Sequence, residues 1–131
     1  VNRMSQDVVI SISAKSSFID NDTLDKVLNC YINLLADVKT KLEACRLMTY
    51  QGAWLADQNI VATVEMSMSK LFVTETALEI VLTCQQILGA YGYAKDFDME
   101  RYVRDMLAMP MIGGSSSIQK NNIANRLNLP K

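Results

Sequence analysis

No histidine occurs anywhere in the 131 residues. The commonest general base and the commonest zinc ligand are thereby both missing. Cysteine is scarce, with three residues at Cys30, Cys45 and Cys84, and no C-x-x-C spacing to hold a metal. Cys30 and Cys45 fall on one expected helix, about 22 Å apart along its axis, which is too far for a disulfide. All three are expected to be small buried thiols in a reducing compartment. Glycine (5) and proline (2) are also few, while half of the residues are hydrophobic and methionine is plentiful at 8. That balance favours helices over a β-sandwich or a disordered tail. Neither sign of charge dominates, because 13 basic residues face 14 acidic ones for a net charge of -1. With the basic residues spread along the chain, neither a nucleic acid nor an anionic membrane finds a steering field. No apolar run approaches the roughly 20 residues of a membrane span, and no signal-peptide pattern opens the chain. The expectation is one soluble, intracellular domain with its own core. The start at Val1 rather than Met is expected of a trimmed or excised piece.

Residues 1 to 20 carry little pattern beyond a short strand-like alternation, Val8, Ile10 and Ile12 against Val9, Ser11 and Ser13. Asn21 and Asp22 then signal a helix start, with Asp22 as the cap and Asp25 favoured in the first turn by the helix dipole. Steps of four and three follow in Leu24, Leu28, Tyr31, Leu35, Val38, Leu42 and Cys45. Such a stripe faces a near-antiparallel neighbour along one long helix. The polar stretch Asp57-Gln58-Asn59 breaks it. A second long helix is expected from about Ile60 to Leu88, with two apolar faces. Val64, Met68, Leu71 and Leu78 form one, and Met66, Val73, Ala77, Ile80, Cys84 and Ile87 the other. A helix apolar on two sides sits between other helices, some of them from another subunit. After a glycine turn at residues 89–93 comes a shorter helix over 99–109. After Gly113-Gly114, the run Ser115-Ser116-Ser117 caps a last helix over 118–127. The sequence therefore predicts an all-α, four-helix, up-and-down bundle over residues 21–131, with two glycine turns.

The turns and the basic helix between them carry the specific signal. The stretch Gln86-Ile87-Leu88-Gly89-Ala90-Tyr91-Gly92-Tyr93, then Asp96, then Glu100-Arg101-Tyr102-Val103-Arg104-Asp105, resembles the C-terminal signature of the acyl-CoA dehydrogenases. The usual family form is Gln-x-x-Gly-Gly-x-Gly-aromatic, an acid, then Arg-x-x-Arg-Asp, so Ala90 is a departure. Gly113 to Lys120 resembles the family's Glu-Gly-Thr-x-x-Ile-Gln-Arg, and further echoes occur at Leu42 to Tyr50 and Met68 to Phe72. Four collinear blocks cover residues 24–128 in order. Glycines let a backbone lie flat against a planar or phosphorylated group, and free amides with the dipole at a helix start favour an anion.

The resemblance implies FAD as cofactor. Gln86, Gly89 and Ala90 would touch the adenine and pyrophosphate end of a flavin held by a neighbouring subunit. Ser115 and Ser117 would lie near its reacting centre, and Gly114 beside the acyl-CoA substrate. It also implies an electron-transfer flavoprotein or similar acceptor, a homo-oligomer (dimer or tetramer), and a bacterial cytoplasm or mitochondrial matrix as the compartment. The plainer alternative makes both turns ordinary interhelix connections. Arg101 and Asp105, four apart, are expected to pair along one helix face. Lys70, Arg46 and Glu43 are expected to form bundle ion pairs, and Trp54 to anchor packing.

The chemistry of such enzymes removes a proton α to the thioester with a carboxylate while a hydride leaves the β carbon for the flavin. The family most often carries that carboxylate where Gly113 stands here, and glycine accepts no proton. Three explanations stay open. The base comes from an earlier helix outside this chain, or the scaffold serves a flavin monooxygenase or oxidase, or chemistry is lost and a helical oligomerisation module remains. The 131 residues alone are expected to bind FAD weakly or not at all and to show no turnover.

Overall fold

In a computed structural model, the described residues are 20–127. The strand-like alternation at Val8 to Ser13, and with it most of the expected N-terminal segment, lies outside them. Four α-helices follow in order: α1 (Asn21–Asp57), α2 (Thr63–Leu88), α3 (Met99–Ala108) and α4 (Ser116–Arg126). A 3-10 turn, Gly89–Gly92, leaves α2. Among the described residues there is no strand. At 1.5 Å per residue α1 is about 55 Å long and α2 about 39 Å.

The cap of α1 is Asp20, not Asp22. The Asp20 carboxylate accepts the Thr23 N–H at 2.9 Å and the Thr23 hydroxyl at 2.8 Å. The Thr23 amide bond, chiefly, holds that carboxyl below its ordinary range. Asp22 instead sits in the first turn and pairs with Lys26 at 2.5 Å. The expected polar break ends α1. The Gln58 N–H bonds to the Trp54 and Ala56 carbonyls, and Asn59 takes φ 55, a left-handed conformation that Asn tolerates. That turn also pulls the Ile60 N–H back to the Leu55 carbonyl at 3.1 Å. Ile60 and Val61 therefore stay in the connection, and α2 starts three residues later than its apolar pattern implies.

Helix α2 is the centre of the bundle, because α1, α3, α4 and the 3-10 turn all pack against it. The core sits on its C-terminal half, where Ile80, Cys84, Ile87 and Leu88 meet Val38 of α1 and Met99 of α3. Tyr31, Leu34 and Leu35 close the α1 side. Among the described side chains of the α1 stripe, Leu42 departs from it: it is exposed while Val38 and Cys45 are buried. The N-terminal half of α2 inverts expectation. Its buried residues are the small polar Ser67 and Ser69, whereas Met66, Met68 and Phe72 are exposed. Periodicity finds an apolar face without saying what covers it, and here this chain covers the opposite one. Contrary to the expectation of no such run, Thr63–Gly92 is by length and composition long and apolar enough to cross a membrane, with 28% of its apolar window buried. A central bundle helix acquires the same apolarity.

Two of the three cysteines are buried, and Cys30 is not. It stands beside the Tyr31 position of the stripe, outside the seam. Burial pushes the Cys45 and Cys84 thiols above their ordinary pKa of 9.0, the Thr76 hydroxyl drawing Cys45 partly back. Both thiols therefore keep their protons at neutral pH. Their contribution to stability is complete below pH 9.0 and fades as pH rises above it, since the unfolded chain ionises first. A thiol reagent at neutral pH is expected to label Cys30 rapidly, and Cys45 and Cys84 only after denaturant is added. Peptide mass spectrometry reads the order directly, and equal labelling of all three in the native protein would contradict it.

Candidate functional site

Both glycine turns hang on α2, at separate stations. At its C-terminal end Gly89 takes φ 58 and ψ -131, and its N–H bonds to the Gln85 and Gln86 carbonyls. Nothing stands within 4 Å of where a Cβ would be, so the backbone conformation alone asks for glycine there. Gly92 is required for the other reason, closeness: a Cβ would lie 2.8 Å from the Gln85 carbonyl oxygen. The Ala90 carbonyl accepts from the Tyr93 and Ala94 amides at 3.1 and 3.2 Å. Tyr91 packs edge-on against Phe97 with centroids 5.5 Å apart, which fixes the exit of the turn. Gln86, Gly89 and Ala90 come together here, all exposed. They form an exposed rim at the end of α2.

The second turn joins α3 to α4. Gly113 takes φ 67 and Gly114 φ 92. Ser115 follows as the cap of α4, its hydroxyl accepting the Ile118 N–H at 3.4 Å. The expected run of three capping serines resolves into one cap, with Ser116 and Ser117 opening the helix. Two side chains hold the turn from inside. Gln119, 7% exposed, donates its Nε2 to the Gly113 carbonyl at 3.1 Å and to that of Gly114 at 3.4 Å. Lys70 of α2 donates its Nζ to the Gly114 carbonyl at 2.7 Å and the Pro110 carbonyl at 3.2 Å. A trans peptide sets N–H opposite C=O. With the Gly113 and Gly114 carbonyls turned inward, the Gly114 and Ser115 N–H groups face outward, and neither has a backbone partner among the described residues. Two outward donors beside a helix N-terminus suit a carbonyl oxygen or an anion.

The stations do not meet. Lys70 and Gly89 are 19 residues apart on or at the end of α2, about 28 Å along the axis. Gln86, Gly89 and Ala90 thus form one group, and Gly114, Ser115 and Ser117 another. Gly113 is exposed beside the second group and brings no side chain.

Lys70 is not a bundle ion pair, since its partners are carbonyl oxygens. Glu43 pairs with Lys39 in its own helix at 3.3 Å, and Arg46 lies over the Tyr50 ring at 5.3 Å. Among the described residues the ion pair that crosses between helices is Lys41 with Glu79 at 2.6 Å. On α3, Arg101 pairs with Asp98 and Arg104 with Glu100, not Arg101 with Asp105. Helix side chains lean towards the N-terminus, so each arginine reaches back to an acid in the preceding turn. The roles of Lys70 and Gln119 escaped the sequence analysis. The available signals were a lysine inside the apolar half of α2 and a glutamine four residues after the Ser115 cap.

Residues 31–128 match the model of the family described as acyl-CoA dehydrogenase, C-terminal domain. The chain belongs to the acyl-CoA dehydrogenase family. It is 41% identical over 93 residues to a 3-(aryl)acrylate reductase of Clostridium sporogenes, covering 71% of this chain and 25% of that protein. It is 39% identical over 94 residues to the caffeyl-CoA reductase-Etf complex subunit CarC of Acetobacterium woodii, covering 72% and 25%. The solved structure of the prolyl acyl carrier protein oxidase AnaB superposes with TM-score 0.76 at 30% identity, over 96% of this chain and 33% of that one. The chain thus spans about a quarter of the length of the curated relatives it matches. Both glycine turns, and the α2 segment that links them, fall inside this acyl-CoA dehydrogenase domain.

Proposed function

We propose that the chain supplies the C-terminal bundle of an FAD-dependent enzyme that dehydrogenates acyl thioesters between the α and β carbons. The observation that carries this reading is the pair of outward Gly114 and Ser115 amides, held from behind by Lys70 and Gln119. The turns fit the cofactor in kind. One offers donors at a helix start, and the other an exposed backbone with no Cβ in the way. FAD, when bound, supplies the acceptor for the hydride. Ser115 and Ser117 lie near its reacting centre and Gly114 beside the thioester. Gln86, Gly89 and Ala90 serve the adenine and pyrophosphate end of a flavin in a neighbouring subunit. The distance of about 28 Å along α2 suits such a division of labour.

Gly113 offers no proton acceptor, so the carboxylate that takes the α proton comes from another segment of the full-length protein. Exposed Leu47, Tyr50, Trp54, Val61 and Met66 around the α1–α2 connection support a homo-oligomer, a dimer or tetramer. The sequence expected Trp54 to anchor packing; within this chain it is 59% exposed, and its partner belongs to another chain or domain. The caffeyl-CoA reductase relative supports an electron-transfer flavoprotein or similar acceptor. The compartment is the bacterial cytoplasm or the mitochondrial matrix.

AnaB favours a second reading, an oxidase that passes electrons to oxygen from a carrier-bound thioester. Anaerobic titration of the full-length protein with acyl-CoA and acyl-carrier thioesters is expected to bleach the visible flavin band. Rapid recovery in air without an added acceptor would select the oxidase. A bound flavin that no thioester bleaches would sink both readings.

A further inference from the structure

We propose that Lys70 is a positioning residue for the second glycine turn, setting the direction of the amides that face the ligand. The inference rests on the reading of that turn as part of a flavin and thioester site. Three elements converge on one ammonium. Lys70 comes from α2, Pro110 follows α3, and Gly114 precedes α4. Lysine carries three donors on a rotatable head, so one residue can gather carbonyls that arrive from different directions. The shorter bond, at 2.7 Å, goes to Gly114, whose peptide plane also carries the Ser115 N–H. Turning that plane over would remove both the Lys70 bond and the outward donor together.

Gln119 performs the matching task one peptide earlier, on the Gly113 carbonyl. It cannot replace Lys70, because its second contact is at 3.4 Å and nothing from it reaches Pro110. Two glycines at positive φ have little intrinsic preference for a single conformation. External anchors must therefore choose one. Partly buried, the Lys70 ammonium has backbone carbonyl oxygens rather than a carboxylate as its partners.

The test compares the parent full-length protein with Lys70→Met and Lys70→Arg. The first readout is hydrogen exchange of the peptide covering residues 110–119, which needs neither flavin nor turnover. Lys70→Met is expected to speed exchange in that peptide at least several-fold while peptides from the Ile80–Leu88 core stay as in the parent. The second is the rate of anaerobic flavin bleaching per bound flavin. It is expected to fall about tenfold or more in Lys70→Met and to recover in part in Lys70→Arg, which keeps the charge and the donors. Unchanged exchange at 110–119 would overturn the proposal, as would faster exchange throughout α2 with an unchanged rate per flavin, the mark of a purely structural residue. A parent that never bleaches defeats both the dehydrogenase and the oxidase readings, and the exchange result then still decides the role of Lys70.

Discussion

Replacing Gly114 with alanine is expected to reduce thioester-driven flavin bleaching in the full-length protein by about two orders of magnitude, while the bundle stays folded. The expectation has two sources. Gly114 holds φ 92, where an L side chain is strained, and a Cβ there would lie 2.7 Å from Gln119 Nε2. Gln119 is buried and already spends that nitrogen on the Gly113 and Gly114 carbonyls. It cannot step aside without releasing the turn. A shift of about 1 Å at a reacting centre can cost on the order of a hundredfold in rate. Alanine at Gly113 is the control, since φ is 67 there but nothing stands within 4 Å of the new methyl. That variant tests strain alone, and its loss is expected to be clearly smaller. Stopped-flow spectra with flavin content measured in parallel separate the cases. A Gly114→Ala protein that keeps its flavin and bleaches within twofold of the parent would show that the turn's geometry is irrelevant to the reaction.

Truncating Ile87 to alanine is expected to act at the other station and mainly on stability. Ile87 is 6% exposed and sits in the cluster formed by Val38, Ile80, Cys84, Leu88 and Met99. Large-to-small changes at such positions cost about 2–4 kcal/mol through lost burial and the cavity left behind. For a domain of this size the midpoint of thermal unfolding should fall on the order of 10 °C. The core lies one turn before Gly89, so the 3-10 turn and the Tyr91–Phe97 contact loosen with it. Leu42→Ala is the comparison, because Leu42 shares the sequence pattern yet is 40% exposed. It should lose far less in the isolated subunit. Equal losses at both positions would mean that the cluster is not the core.

The sequence was most legible where one chain settles its own contacts. The α1 stripe, the polar break at 57–59, both glycine turns and the cap at the start of α4 follow from spacing and residue chemistry. It was least legible where a second surface decides. Met66 and Met68 look like core residues and are exposed, while Ser67 and Ser69 look like surface residues and are buried. Small hydroxyl side chains let helices approach closely, and no periodicity shows which face does so. The α1 cap falls two residues before the expected Asp22 because Asp20 and Asp22 both suit a cap and only geometry separates them. Lys70 differs from the expected ion pair because a carbonyl partner 44 residues away leaves no mark in sequence.

Because α2 carries both turns, the number of residues between Lys70 and Gly89 is constrained as tightly as their identity. One residue inserted into that stretch would rotate one end against the other by about 100° and lengthen it by about 1.5 Å. Either the Lys70 ammonium would leave the Gly114 carbonyl or the Gly89 turn would swing off its side of the bundle. Deletions do the same in reverse. Among sequences that keep both turns in use, length changes should therefore collect in the connection at residues 58–62, while the stretch from 70 to 89 drifts in composition at constant length.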